Sequence, residues 1–253
     1  TEHFNTKLYT GNGTAIGSGG NAQTGVGFQP DFTWIKDRSA VNNHNLFDVV
    51  RGVTKGIQSS STIAEYTNTE TVTAFDSDGF TVGSAGGVNT NTNNYASWNW
   101  KANGAGSANT DGSISSTVSA NTTSGFSIVS YTGNGIGSAT IGHGLGVAPK
   151  VVMIKRLNAT NSFPVWLVGT TQYRVVLNLT NASDSIFSIS TSSTIITTPS
   201  TVDTHWNGSS DTYIAYCFAE KQGYSKFGSY TGNGNADGTF VYTGFKPAFV
   251  MTK

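Results

Sequence analysis

The residues able to do chemistry are few and scattered. Four histidines, His3, His44, His143 and His205, stand in dissimilar surroundings, whereas catalysis needs titratable groups that converge. His143 in Gly-His-Gly echoes an oxyanion-loop sequence, but no Gly-x-Ser-x-Gly elbow accompanies it, so it reads as a turn residue. No His/Cys spacing fits zinc. Asp76-Ser-Asp78-Gly79 copies part of a calcium loop and lacks the later glutamate. Phe-Asp-Ser-Asp-Gly-Phe reads better as a hairpin turn with Asp78-Gly79 at its centre. Glycoside hydrolysis needs paired carboxylates. The close pairs here, Glu65/Glu70 and Asp76/Asp78, do not fall at alternate positions of an aromatic-rich strand. Cys217, inside Tyr-Ile-Ala-Tyr-Cys-Phe-Ala, reads as a small buried strand residue rather than a reactive thiol. The expectation is a chain with no catalytic residue, no metal ligand and no cofactor, and therefore no enzyme.

Sugar binding is the chemistry that the residue types favour, because aromatic faces with amides and backbone donors nearby suit polyhydroxylated ligands. Trp206 in His-Trp-Asn-Gly reads as a loop residue with no core strand to explain it. Trp206, Trp166 and Asn94, which precedes Tyr95, are the candidate glycan-binding residues. Trp98 and Trp100 belong to one core-like strand and Trp34 to another.

The elements that must position these groups are strands. Charged residues make up 11% of the chain, against about 25% in an average soluble protein. Glycine is abundant at 31 and proline scarce at 5, while Thr, Ser and Asn fill most polar positions. Thr suits pleated strands, and Gly, Asn and Ser suit tight turns. Lys+Arg and Asp+Glu are both 14, so there is no basic field for nucleic acid or anionic membrane. No run of about 18 apolar residues marks a transmembrane helix. The start, Thr1-Glu2-His3, lacks a signal-peptide pattern and reads as an internal cut or a processed end.

Internal repetition organises the rest. Tyr-Thr-Gly-Asn-Gly begins at Tyr9, Tyr131 and Tyr230. Each copy is followed by Gly-(Phe/Val)-x-Pro and a lysine: Gly27, Pro30 and Lys36; Gly146, Pro149 and Lys155; Gly244, Pro247 and Lys253. A closing element follows twice, Tyr95-Ala-Ser-Trp98-Asn-Trp100 and Tyr213-Ile-Ala-Tyr216-Cys-Phe218, 65 and 64 residues after its proline. Proline is placed at a strand entrance, where its missing donor does least harm, and the residues up to the lysine read as a buried strand. The closing element alternates aromatic with small or polar residues, the period of a half-buried strand. Further strands are expected at 46–50, 72–75, 79–82, 173–179 and 186–189. The fold class expected is all-β: tandem antiparallel β-sandwich modules (jelly-roll, concanavalin-like) with a truncated third repeat. The boundaries are 1–102 for the first module, 103–123 for a Gly/Ser/Thr/Asn-rich linker, 124–223 for the second module and 224–253 for the beginning of a third. Ile114 and Val118 leave open that the linker is instead an extended strand.

Several long strings carry a resemblance. They are His143-Gly-Leu-Gly-Val-Ala-Pro-Lys-Val-Val-Met-Ile-Lys155, Tyr213-Ile-Ala-Tyr-Cys-Phe-Ala-Glu-Lys221, Tyr224-Ser-Lys-Phe-Gly-Ser-Tyr-Thr-Gly-Asn-Gly234 and Leu46-Phe-Asp-Val-Val-Arg-Gly52. Nearly the whole chain resembles repeat modules in tail-fibre and other virion structural proteins of bacteriophages, marine and cyanobacterial ones especially. The resemblance implies a concanavalin-like (laminin-G-like) sandwich, and it supplies no catalytic residues. The expected role is a non-enzymatic virion protein, a spacer and host-surface binder on the particle. Its expected partners are other virion subunits in a homo-oligomer, and host glycans, without nucleic acid or membrane insertion. A cellular adhesin built from the same modules is the alternative.

Overall fold

A computed structural model describes residues 2–169, 173–185 and 187–253. Thr1 and Ile186, the first residue of an expected strand, lie outside the described residues. Two large antiparallel sheets carry the repeats. The first runs in spatial order Phe4–Thr10, Asn94–Trp100, Phe32–Asp37, Asn45–Asp48, Lys55–Gln58, Tyr66–Thr67. The second runs Ser107–Asn109, Ser116–Asn121, Phe126–Thr132, Thr212–Phe218, Val151–Arg156, Pro164–Leu167, Tyr173–Val176. In each, the closing strand (Asn94–Trp100 or Thr212–Phe218) sits between the opening strand (Phe4–Thr10 or Phe126–Thr132) and the lysine strand (Phe32–Asp37 or Val151–Arg156). A three-stranded sheet covers the outer face of each: Asn21–Thr24, Gly79–Val82, Val72–Asp76 on the first, and Thr140–Gly142, Ile195–Thr197, Ser190–Thr191 on the second.

The two copies superpose in chemistry as well as order. Tyr9 lies opposite Tyr95 and Tyr131 opposite Tyr213, and each pair stacks with centroids 5.1 Å apart and planes at 15°. Tyr9 Oη donates to the Val88 carbonyl and Tyr131 Oη to the Trp206 carbonyl, both at 2.7 Å. Behind each acceptor stands an asparagine, Asn89 or Asn207, six residues ahead of the closing tyrosine. Asn89 exchanges two amide hydrogen bonds with Asn12 of the first Tyr-Thr-Gly-Asn-Gly turn, and Asn207 does the same with Asn134 of the second. Pro30 and Pro149 are both buried just ahead of their lysine strands.

The third copy keeps the turns and loses the strands. The last glycine of the pentapeptide is left-handed in all three, with φ 66°, 68° and 67° at Gly13, Gly135 and Gly234. The asparagine side chain accepts from the N–H two residues on in each: Asn12 from Thr14, Asn134 from Ile136, Asn233 from Asn235. Yet among the described residues of 224–253 there is no strand. Tyr230 is exposed and does not occupy the position of Tyr9 and Tyr131.

The sheets do not form two separate sandwiches joined by a linker. Their inner faces meet and share one core, because the lysine and closing strands are apolar on both sides. Phe32, Trp34, Leu46 and Trp100 of the first sheet pack with Phe126, Ile128, Met153, Ile214 and Tyr216 of the second. Phe32 and Tyr216 have ring centroids 4.3 Å apart. The alternate residues Tyr9, Ile35, Phe47 and Tyr95 face the first outer sheet, and Tyr131, Val152, Ile154, Tyr213 and Cys217 face the second. The segment expected as a linker supplies Ser107–Asn109 and Ser116–Asn121, which extend the second sheet, and buries Ile114 and Val118. Its Gly/Ser/Thr content reads as coil, whereas pairing with Phe126–Thr132 makes it a strand.

A polar network is sunk beside this core. Asp48 and Arg51 are fully buried partners, with Nε 2.6 Å from Oδ2, and Arg51 Nη1 reaches Glu65 at 3.2 Å. Tyr216, from the other sheet, donates its hydroxyl to Asp48 Oδ2 at 2.8 Å. Burial would by itself lower the guanidinium pKa, but Asp48, Tyr216 and Glu65 together outweigh it and hold Arg51 charged. Backbone bonds also cross the junction, Glu65 N–H to the Leu157 carbonyl and Asn161 N–H to the Thr62 carbonyl, both 2.8 Å.

Removing one member should therefore destabilise both repeats together. Arg51→Ala leaves Asp48 as an unpaired buried charge and should cost about 3–5 kcal/mol. Tyr216→Phe removes one donor to that carboxylate and should cost about 1–3 kcal/mol. Urea unfolding followed by tryptophan fluorescence checks this. A single transition shifted as a whole is expected, and two transitions with only one of them moved would contradict the shared core.

Candidate functional site

The three sugar-binding candidates are not brought together. Trp206 and Trp166 are buried and meet edge to face at 6.1 Å inside the second outer core, so neither offers a ring to a sugar. Trp206 Nε1 donates to the Thr201 carbonyl, while its own carbonyl takes the Tyr131 hydroxyl and draws the loop onto the core. The repeat explains this residue: Trp206 stands before Asn207 as Val88 stands before Asn89, and both are core plugs. That asparagine six residues ahead of the closing tyrosine is the sequence signal that would have found it. Asn94 is exposed on the first sheet, opposite Thr10.

The other chemistry-bearing residues serve the fold. His143 is buried, just after the strand Thr140–Gly142. Its Nδ1 accepts from the Leu145 N–H and its Nε2 lies 3.2 Å from the Ser192 carbonyl, while burial lowers its pKa. Asp78 accepts from the backbone N–H of Gly25 and Gly27 at 2.9 and 2.6 Å, bonds that hold its carboxyl below the ordinary range. It clamps the outer sheet. The hairpin there turns on Ser77-Asp78, since Asp76 pairs with Gly79, one residue earlier than expected. Gly79 opens the return strand at φ 153°, where a Cβ would strike the Gln23 carbonyl. Glu70 accepts from the Ile16 and Ser84 N–H groups, and Glu65 from Arg51. Burial pushes the Cys217 thiol up to about 12, which keeps it unreactive. No group of three His, Cys, Asp or Glu able to hold a metal occurs among the described residues. Nor is any helix there long and apolar enough to cross a membrane.

Among the described residues the one strongly perturbed amine is Lys155, pushed down to about 8 by burial. Such an amine in a cleft would suggest a nucleophile. Its Nζ instead donates to the Asn161 carbonyl at 2.6 Å, as Lys36 Nζ donates to the Asn42 carbonyl at 2.5 Å. In both repeats the lysine closes the loop six residues on, so the shared geometry assigns it to the turn.

Besides a cleft of about 360 Å³ between Lys150, Tyr173 and Glu220 on the second repeat, the surface offers an amide-lined cleft of about 290 Å³ on the first, with Asn42, Asn43, Asn45, Gln58, Tyr66 and Asn68 around it. Buried Asn45 organises it, its Oδ1 accepting from Tyr66 Oη at 2.8 Å and Gln58 Nε2 at 3.3 Å. Asn43 Oδ1 takes the Ser60 hydroxyl, and Asn68 Oδ1 takes the Glu70 N–H. The cleft therefore presents neutral donors and acceptors around a half-buried tyrosine, with no titratable carboxylate or imidazole lining it. Such groups suit ligands rich in hydroxyl and amide groups. The sequence reading missed it, because these residues come from three separate segments, 42–45, 58 and 66–68, that only the fold brings together.

The Lys155 assignment has a pH signature. Its folded pKa lies below the unfolded value of 10.5, so above about pH 8 the unfolded chain binds the proton more readily than the native one. By linkage, this group's contribution to stability rises with pH through the window from about 8 to 10.5. Denaturant melts across that window should show wild type gaining on Lys155→Met. A flat difference would contradict the buried amine.

No curated protein and no solved structure matches the chain. The whole of it, residues 1–253, matches a family described as Domain of unknown function (DUF7483). One family pattern thus spans both repeats and the third segment, and the chain belongs to that domain family.

Proposed function

We propose that the chain is a non-enzymatic structural unit of a virion appendage of the phage tail-fibre type, a stiff spacer that also presents a sugar-binding cleft. The observation that carries this reading is the fusion of two sequence repeats into one core through Phe32, Trp100, Phe126 and Tyr216. Two repeats joined by a flexible linker would bend at the joint. Repeats that share a desolvated core and a buried ion pair resist bending, as a load-bearing spacer in an extended particle must. The resemblance of the repeat strings to phage virion modules points the same way. A surface with few charges and many Thr, Ser and Asn suits dense packing beside identical subunits. The cleft around Asn45 and Tyr66 supports host-glycan recognition through neutral hydrogen bonds and one aromatic ring.

Two measurements test it. Gold-labelled antibody against the chain should decorate the tail or capsid appendages of purified particles. Label confined to bacterial surfaces would support the adhesin instead and end the virion reading. On a glycan array, Tyr66→Ala should weaken any specific signal by about tenfold or more, the loss of one stacking contact and its hydrogen bond. An unchanged signal would remove the cleft from the proposal.

A further inference from the structure

The amide cleft around Asn45 is open in the first repeat, and its counterpart in the second is filled. Leu46 pairs with Trp34 as Val165 pairs with Met153. Asn45 and its cross-strand partner Gln58 therefore correspond to Pro164 and Val176. One step along the same ladders, Gly56 with Tyr66 corresponds to Arg174 with Asp184. In the second repeat Arg174 and Asp184 form an ion pair at 2.7 Å, and Asn161 Nδ2 donates to the Thr204 carbonyl at 2.9 Å. Trp206, standing where the first repeat has Val88, packs on Trp166 and Phe187.

Two glycines keep the first repeat open. A Cβ at Gly56 would overlap the Tyr66 ring, and one at Gly87 would lie 2.7 Å from the Asn45 amide nitrogen. Asn45 itself has nothing to spare. Its Nδ2 donates to the Asn43 and Gly87 carbonyls, and its Oδ1 accepts from Tyr66 and Gln58. Asn43 and Asn68 differ, for both are exposed at the rim. Each spends its Oδ1 within the protein, on the Ser60 hydroxyl and the Glu70 N–H. Among the described residues neither Nδ2 has an acceptor. The cleft thus presents spare neutral donors beside a half-buried aromatic ring, and no charged side chain lines it.

Spare donors select a ligand with acceptors to match, and uncharged walls select a neutral one. A hydroxyl brings a donor with every acceptor, whereas an acetamido group brings a carbonyl oxygen and an apolar methyl. A volume of about 290 Å³ is at the small end of ligand pockets and admits a single sugar residue. We propose that the cleft takes one N-acetylated sugar residue. Its acetamido carbonyl accepts from a spare Asn43 or Asn68 amide, and its methyl lies against the Tyr66 ring. This rests on the sugar-binding reading of the same cleft and names the class of sugar.

Titrating the full chain with the methyl glycosides of N-acetylglucosamine and N-acetylgalactosamine, and with those of glucose and galactose, tests it by the side-chain amide resonances of the cleft. An acetamido glycoside should bind saturably and about tenfold more tightly than its plain counterpart, the worth of one hydrogen bond and one buried methyl. The double variant Asn43→Asp, Asn68→Asp keeps both acceptor oxygens and loses both donors. It should weaken acetamido binding about fivefold or more and leave the melting temperature near that of wild type. Plain hexosides binding as tightly as acetamido ones would overturn this inference and leave the sugar-binding cleft standing. Unchanged acetamido binding by the double variant would do the same. Saturation by neither type of glycoside would overturn both.

Discussion

The contact between the inner faces of the two large sheets is the constraint on which the molecule rests. A sheet with apolar residues on both sides has to be covered on both sides. The outer three-stranded sheets cover one face of each, and their small area cannot also cover the other. Phe32, Trp100, Phe126 and Tyr216 then have each other as their available cover. The rims of this contact also seat Phe227 and Phe249, so even the strandless third segment is anchored by the same core.

Once the faces meet, the buried polar groups have to be satisfied from both sheets. Asp48 cannot be left with Arg51 alone when it has several lone pairs in a dry site, and Tyr216 fills one of them across the junction. A buried pair of this kind adds little to stability over an apolar replacement, but it is costly to break and selective for register. It fixes which face of the second repeat meets the first. The apolar contact and the network therefore do different work, one holding the sheets together and the other choosing their alignment.

The same logic separates turns from strands in the third repeat. A turn is closed by groups within a few residues: the glycine φ near 67° and the Asn233 side chain accepting from Asn235 need nothing distant. A strand is closed by hydrogen bonds to another strand, and an isolated hairpin is already marginal in water. Residues 227–253 make this division visible within one chain, because the turn of the repeat forms there and no strand does.

Much of the architecture is legible in the sequence because it is written locally and twice. The Gly-to-Pro-to-Lys spacing placed the lysine strands, alternation in Trp98-Asn-Trp100 and Tyr216-Cys-Phe218 placed the closing strands, and the expected strand at 79–82 is found at Gly79–Val82. Equivalence of Tyr9 with Tyr131 follows from the same spacing. The candidate site was not legible. Trp206 and Trp166 carry the residue type of a sugar platform, and only the fold reveals that both are covered; the cleft around Asn45 gathers residues that no spacing connects. Segment 103–123 has the composition of coil and becomes a strand through its neighbour. Periodicity reports which face of a strand is apolar, so the sequence by itself determined the lysine and closing strands of the two complete copies, the turns and the repeat. It carries no information on what covers that face, and only the tertiary structure decided that each repeat is the other's cover.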